Sequence, residues 1–277
     1  MTNRSVARGI LCAAALSVGF LFLARDSAGQ AAAPPSQNPA TPDAAAGAAH
    51  PAPAPLSDDK LADSYIISKE YEKATAIYQR LVGREPHNAA YLNKLGICYL
   101  NQGQLGPAAR YFEKSFKADP RYAVAMNNLG VVHYQRKKYA KAIKAYEKAL
   151  TVEPQAGSYY FNLGYAYFAS KRFPEAMDAF QKALAIDPAI FSRGARTAGT
   201  ILQDSSVQNR GLFDFLLAKM FAQTGNVERC IYYLRRARDE GYKALAAVKT
   251  DPAFAAVSKD PAVLEVIEPV AEGEKKP

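Results

Sequence analysis

The residue types that most often carry out chemistry are few in this sequence, and they do not form a known constellation. The chain has three histidines and three cysteines. The spacings H-E-x-x-H, C-x-x-C, G-x-S-x-G and G-x-x-x-x-G-K-[ST] are absent, so no motif indicates zinc-dependent hydrolysis, dithiol redox chemistry, serine acyl transfer or P-loop phosphate binding. We therefore expect a protein that is not an enzyme and that holds no cofactor and no metal ion.

The individual histidines and cysteines favour structural roles. His87 follows Pro86 in a predicted loop, and His133 lies in a predicted helix with no second metal-type ligand at helical spacing. Cys98 and Cys230 are far apart in the chain, and we expect both to be buried small residues and not a disulfide.

The N-terminus has the pattern of an export signal. Arg4 and Arg8 precede an uncharged apolar run over 9–24, and small residues follow it. This run is shorter than the roughly 20 apolar residues of a membrane-spanning helix, which favours a signal peptide over 1–31 and a periplasmic or secreted protein. The alternative is an uncleaved inner-membrane anchor. Residues 32–55 are rich in Ala and Pro and are predicted to be a disordered linker.

A repeat of 34 residues organises the rest of the chain, as shown by Pro86, Pro120, Pro154 and Pro188. Three further positions keep the same register: a leucine (Leu61, Leu95, Leu129 and Leu163), a small residue (Ala62, Gly96, Gly130 and Gly164) and an aromatic residue (Tyr78, Phe112, Tyr146 and Phe180). Each unit holds two apolar-periodic segments of about a dozen residues, which is the length of an ordinary helix.

This pattern resembles the tetratricopeptide repeat family, whose unit is W-x2-L-G-x2-Y…A-x3-F…P. The second unit carries it as Leu92, Leu95, Gly96, Tyr99, Ala108, Phe112 and Pro120. The resemblance covers 56–188, and it departs from the family in the missing tryptophan, in Ala62 and in His133. It implies a bacterial family member with an all-α fold, an α-solenoid of helix-turn-helix repeats in a right-handed superhelical array, and the N-terminal pattern adds that the protein is exported.

The predicted organisation is four repeats over 56–190, an inserted helix and turn over 191–210, a degenerate fifth repeat with capping helices over 211–267, and a disordered tail over 268–277. Asp251-Pro252 and Asp260-Pro261 each place an N-capping aspartate before a proline at the first helical position. This pairing predicts two short helices that close the end of the array.

In the tetratricopeptide family the first helix of each pair lines a concave groove, which implies a peptide-binding site here. The position that projects into the groove is occupied by Lys60, Lys94, Asn128 and Asn162, with Asn93 and Asn127 adjacent. O-linked N-acetylglucosamine transferases have similar repeat arrays with asparagines that hold a peptide backbone, and an asparagine amide both donates and accepts. If these side chains hold a peptide, alanine at 128 and 162 weakens binding and leaves stability nearly unchanged. The alternative is a solvated groove.

Aromatic residues would line the later part of the same groove, namely Tyr134, Phe161, Tyr165 and Phe168. Exposed aromatic side chains in a concave surface often anchor a partner. The alternative is that residues 189–209 or the C-terminal tail fold over these rings.

The second, outer helices carry a basic patch made of Arg110, Lys114, Lys117, Arg121, Lys137, Lys141, Lys144 and Lys148. The last four residues are spaced 4, 3 and 4 apart, so they share one helix face. Between Arg110 and Lys148 there are ten Lys or Arg residues and three acidic residues, a net charge of +7. This convex patch is either a solvated stripe or a docking site for an anionic envelope surface or an acidic partner.

The predicted function is an exported interaction scaffold that binds a peptide segment of a protein partner in its groove. The alternative function is a structural envelope tether that docks through the lysine patch. We do not expect a nucleic acid partner, because the patch lacks interleaved aromatic residues in the sequence and the protein carries an export signal.

Overall fold

The structure is a computed structural model that describes residues 57–193 and 209–268. All regular elements in these two ranges are helical, with no β-strand among them. The predicted signal peptide and linker, most of the predicted insertion and nearly all of the predicted tail lie outside the described residues. The helices are α1 (Asp58–Ile67), α2 (Tyr71–Arg84), α3 (Ala89–Asn101), α4 (Leu105–Ala118), α5 (Ala123–Gln135), α6 (Tyr139–Val152), α7 (Gly157–Ala169), α8 (Phe173–Ile186), α9 (Ile190–Arg193), α10 (Arg210–Gln223), α11 (Val227–Asp239) and α12 (Pro261–Ile267), with 3-10 helices at Leu245–Lys249 and Pro252–Phe254.

The helices form an array of pairs, and each helix packs against the next one in the chain. Consecutive helices are in contact from α1 to α8, and α10 packs against α11. We call α1, α3, α5 and α7 the first helices and α2, α4, α6 and α8 the second helices. The last three first helices begin at Ala89, Ala123 and Gly157, which preserves the interval of 34 residues. The all-α repeat solenoid predicted from the sequence is confirmed.

Three of the four pairs over α1–α8 are closed by an aromatic ring that lies over a glycine, and the first pair has Ala62 and Tyr78 at these positions. A Cβ atom added to Gly96 would lie 2.6 Å from Cε1 of Phe112, and one added to Gly164 would lie 2.5 Å from Cε1 of Phe180. The ring of Tyr146 covers Gly130 in the same way. These separations are shorter than van der Waals contact, so a side chain at the glycine would force the two helices apart.

The turn inside each pair contains one residue with a left-handed backbone. The φ angles are 61° at Lys69, 72° at Gly103, 57° at Lys137 and 61° at Lys171, and these residues are again separated by 34 positions. Glycine adopts this conformation freely. An L-residue with a side chain pays roughly 1–2 kcal/mol for it, because its Cβ approaches the following carbonyl oxygen. Three of the four turns therefore hold a lysine where a glycine would be unstrained.

The C-terminal end is closed by the two predicted helix starts. Asp251 Oδ1 accepts a hydrogen bond from the backbone N–H of Ala253 at 2.9 Å, and Asp260 Oδ1 accepts one from Ala262 at the same distance. Lys219 on α10 forms an ion pair with Asp251 at 2.7 Å, and the hydrogen bond from this lysine lowers the pKa of the Asp251 carboxyl. The predicted capping helices are confirmed.

We predict that Gly130→Ala lowers the free energy of unfolding by about 1–3 kcal/mol, because its methyl group would meet the Tyr146 ring. Gly83→Ala is the matched control, since Gly83 lies within α2 and has no atom within 4 Å of its added Cβ. The control should be stabilised by up to about 1 kcal/mol, from helix propensity alone. Urea unfolding followed by circular dichroism measures both values. If the two variants change stability equally, the ring does not set the spacing of the pair.

Candidate functional site

The asparagines predicted to face a groove form a row of side-chain hydrogen bonds between neighbouring first helices. Asn128 Nδ2 on α5 donates to Asn93 Oδ1 on α3 at 3.0 Å, and Asn162 Nδ2 on α7 donates to Asn127 Oδ1 on α5 at 2.8 Å. Within α5, Asn127 Nδ2 donates to Asn128 Oδ1 at 3.3 Å. The row therefore runs without a break from α3 to α7.

The two bonds between helices are equivalent, because each joins residues 35 apart in the sequence. Between α1 and α3, Lys94 occupies the position equivalent to Asn128, and its Nζ forms an ion pair with Asp63 Oδ1, 31 residues earlier, at 2.7 Å. The Tyr78 hydroxyl also donates to Asp63 Oδ1, at 2.5 Å. One polar contact thus links each first helix to the next, with amides in the later repeats and charges in the earliest.

Burial changes the interpretation of the predicted groove. Eight of its ten predicted residues are buried, namely Asn93, Asn127, Asn128, Tyr134, Phe161, Asn162, Tyr165 and Phe168. Lys94 is partly exposed and Lys60 is exposed. The asparagines are thus buried in this structure, and peptide binding by the groove stays a prediction. Their amides face each other across the helices, and a peptide would have to compete for them.

The aromatic part of the predicted groove is covered by the C-terminal region. The ring of Phe191 on α9 lies 5.1 Å from the ring of Phe161. Phe213 on α10 stacks on Tyr165 at 5.3 Å and meets Phe168 edge-on at 5.0 Å. Phe191 belongs to the segment 189–209 that was expected to fold over the rings, whereas Phe213 belongs to α10 and covers Tyr165 and Phe168 from the predicted fifth repeat.

The basic patch, unlike the predicted groove, is exposed to solvent. All eight of its predicted residues are exposed, and they lie on α4, on α6 and in the turns beside them. Arg110 and Lys144 occupy equivalent positions of successive repeats, as do Lys114 and Lys148. The two helices therefore present paired cations side by side. We call this surface the basic face.

The basic face is not neutralised by the acidic residues around it. Among the described residues, none of its eight cations has a carboxylate within 4.0 Å. The flanking repeats differ, since Arg84 pairs with Asp58 at 3.4 Å and Lys182 pairs with Asp178 at 2.7 Å. Positive charge is thus concentrated on the two middle repeats.

Two aromatic side chains lie within the basic face, so the expectation that this patch lacks interleaved aromatic residues is wrong. Lys148 Nζ on α6 lies 4.3 Å from the centre of the Phe116 ring on α4. Lys114 Nζ lies 5.3 Å from the centre of the Tyr111 ring, which stacks on Tyr99 at 5.5 Å. These rings are half-buried and provide apolar surface between the two rows of cations.

The histidine and cysteine side chains occupy the places expected of structural residues. His133 is half-buried on α5, and burial, followed by the charge of Lys141, lowers the pKa of its imidazole. Burial raises the pKa of the Cys98 thiol to about 11. In the described part of the chain, no group of three His, Cys, Asp or Glu side chains is arranged to hold a metal ion.

Comparison with known proteins agrees with the fold. Residues 60–115 and residues 121–189 each match a tetratricopeptide repeat family model. Helices α1–α8 are therefore tetratricopeptide repeats. No curated protein matches the sequence. No helix in the described ranges combines the length and the apolar character needed to cross a membrane.

Solved structures of repeat proteins are similar in fold at low sequence identity. A structure of PilF from Pseudomonas aeruginosa is 18% identical with a TM-score of 0.51, covering 76% of this chain and 86% of that one. MamA from Desulfovibrio magneticus RS-1 is 18% identical with a TM-score of 0.47, covering 66% and 92%. The first tetratricopeptide domain of Spaghetti (RPAP3), bound to an HSP90 peptide, is 27% identical with a TM-score of 0.36, covering 36% and 80%.

We predict that Asn128→Ala lowers the free energy of unfolding by about 1–3 kcal/mol, because it leaves the buried amides of Asn93 and Asn127 each without one partner. Asn101→Ala is the control, since Asn101 is exposed and bonds only within its own helix, to the Ile97 carbonyl. Its stability should change by less than about 0.5 kcal/mol.

Urea unfolding measures the free energy of unfolding of the variant. A groove that faces solvent predicts no change in this value, whereas the buried row predicts a decrease. A double-mutant cycle with Asn93→Ala should give a coupling energy above about 0.5 kcal/mol. An Asn128→Ala variant as stable as the parent would show that the row does not hold the helices together.

Proposed function

We propose that this protein is a non-catalytic interaction scaffold that binds an acidic segment of a protein partner on its basic face. The observation that carries the proposal is the set of eight exposed cations, unpaired with described acidic residues, on α4, α6 and their turns. Tetratricopeptide repeats act in protein–protein interaction, which makes a polypeptide the expected partner. The asparagine row is buried, so the basic face is the more accessible of the two predicted surfaces.

The spacing on the basic face suits a helical or extended acidic segment. Lys141, Lys144 and Lys148 recur at the period of one helix face. An acidic helix lying along them would offer carboxylates at the same interval of about 5–6 Å. Phe116 and Tyr111 would give its apolar side chains a surface to contact, which a purely electrostatic site would lack.

Binding to this surface should depend strongly on salt. Exposed charges are screened over about 8–10 Å at physiological ionic strength. Complementary charge also raises the association rate more than it raises the final affinity. The partner would therefore be captured quickly and released easily.

We further propose that the protein is exported and acts in the periplasm or outside the cell. The support is the sequence pattern of residues 1–31, with an uncleaved inner-membrane anchor as the alternative. N-terminal sequencing of the protein from fractionated cells distinguishes the two. Peptide binding by the concave groove stays a prediction, and it would require the asparagine row to become exposed.

We predict that Lys141→Glu with Lys144→Glu weakens binding of an acidic helical peptide about ten-fold or more. Two attractive contacts become repulsive, and each 1.4 kcal/mol corresponds to a factor of ten. The probe is a fluorescein-labelled peptide with Glu at i, i+3, i+4 and i+7. The control is Lys243→Glu with Lys249→Glu, which changes the net charge equally at two exposed residues outside the basic face. Fluorescence anisotropy over a salt series gives the affinities.

Equal loss of affinity in the two double variants would mean that only net charge matters, and it would overturn the proposal. Vesicles containing phosphatidylserine provide a second arm. Binding of vesicles without binding of the peptide would replace the acidic partner with a membrane surface.

A further inference from the structure

The third repeat has a histidine where the repeats on either side of it have a tyrosine. Tyr99 and Tyr167 hold this position in the second and fourth repeats, and His133 holds it in the third. Both tyrosines reach the second helix of the preceding repeat. The Tyr99 hydroxyl accepts a hydrogen bond from Gln79 Nε2 on α2, and the Tyr167 hydroxyl donates one to Glu147 Oε1 on α6, both at 2.8 Å. In these two repeats the position therefore joins a first helix to the second helix before it.

His133 makes no equivalent contact. Gln79 and Glu147 each lie 20 residues before their tyrosine, and the residue 20 positions before His133 is Glu113 on α4. In the described part of the chain, no carboxylate lies within 4.0 Å of a ring nitrogen of His133. Its Nδ1 atom is buried and has no hydrogen-bond partner among the described residues. The imidazole thus has no acidic group that would stabilise its charged form.

The charges that act on His133 are positive. Burial, followed by the charges of Lys141 on α6, Arg136 after α5 and Lys138 before α6, lowers the pKa of the imidazole below its usual value of 6.5. Glu113 is exposed on α4, and among the described residues α3 and α7 add no charge that shifts this pKa. His133 is therefore uncharged at neutral pH.

Lys141 belongs both to the surroundings of His133 and to the basic face. Among the three cations it has the largest effect on the imidazole, and it is exposed to a partner. An acidic segment paired with Lys141 would cancel part of this repulsion and would bring negative charge near the ring. Negative charge nearby raises the pKa of a histidine. By linkage, the proton and the acidic segment would each favour the binding of the other.

We propose that His133 couples capture of an acidic partner to uptake of a proton, so that the basic face holds this partner more tightly as the pH falls. This inference rests on the acidic-partner function proposed above and adds a regulation of the same surface. The free protein binds the proton weakly and the complex binds it more strongly, so affinity rises as the pH falls through the range in which histidine titrates. Tyr167 cannot act in this way, because burial, followed by its hydrogen bond to Glu147, raises the pKa of its hydroxyl to about 12.

The experiment measures the affinity of the full chain for the acidic helical peptide from about pH 7.5 to about pH 5.5 at constant ionic strength. The peptide carries tetramethylrhodamine, whose emission is constant over this range, and its glutamates stay ionised because their ordinary pKa is about 4.3. We expect the dissociation constant to fall about three- to ten-fold, since one unit of pKa corresponds to a factor of ten. Salt-sensitive binding that does not change with pH would overturn this proposal and leave the acidic-partner function intact. No binding at any pH would overturn both.

His133→Tyr removes the titrating group and installs the residue that the second and fourth repeats have at this position. We expect this variant to bind the peptide with an affinity that changes by less than about two-fold over the same pH range, since tyrosine titrates near pH 10. His87→Gln is the matched control, because His87 is an exposed histidine outside the basic face, and it should keep the pH dependence of the parent. A pH dependence that persists in His133→Tyr, or that both variants lose equally, would contradict the role of His133.

Discussion

The close approach of two helices across a glycine is the contact on which the rest of the array depends. Because Phe112, Tyr146 and Phe180 lie directly over Gly96, Gly130 and Gly164, the second helix in each of these three pairs is held at a fixed distance from the first. That distance sets the spacing of the first helices, at which one asparagine can reach the next. In the pair formed by α10 and α11, Ala218 and Leu234 occupy the positions of the glycine and the aromatic residue, and both are fully buried.

The fold could be predicted from the sequence because its cause is periodic. Glycine, leucine, aromatic and proline positions recur every 34 residues, and that period alone specifies helix pairs that must stack. The helix caps at Asp251 and Asp260 are local signals, and they could also be predicted from the sequence. The hydrogen-bond partners of the asparagines could not be predicted. Asn128 and Asn162 bond to the residue 35 positions earlier and not to the equivalent residue 34 positions earlier. A shift of one position decides whether an amide faces a ligand or a neighbouring helix.

For the same reason, the basic face could be predicted from the sequence, whereas the covering of the aromatic residues could not. A charged side chain on a helix face is exposed wherever the helix lies on the outside, so the basic face follows from spacing alone. The aromatic residues depend on what covers them. Phe191 and Phe213 come from beyond the regular repeats, where no period predicts their position.

The contacts between first helices also differ in chemistry along the array. The later contacts are buried amide hydrogen bonds, whereas the contact between α1 and α3 includes an ion pair with Lys94 36% and Asp63 44% exposed. Dissolved ions weaken an exposed charge pair and leave buried amides almost unaffected. Stability in a repeat protein is close to a sum over neighbouring units. Raising the ionic strength should therefore loosen the first repeat before the others, and α1 and α2 would exchange their amide hydrogens earliest.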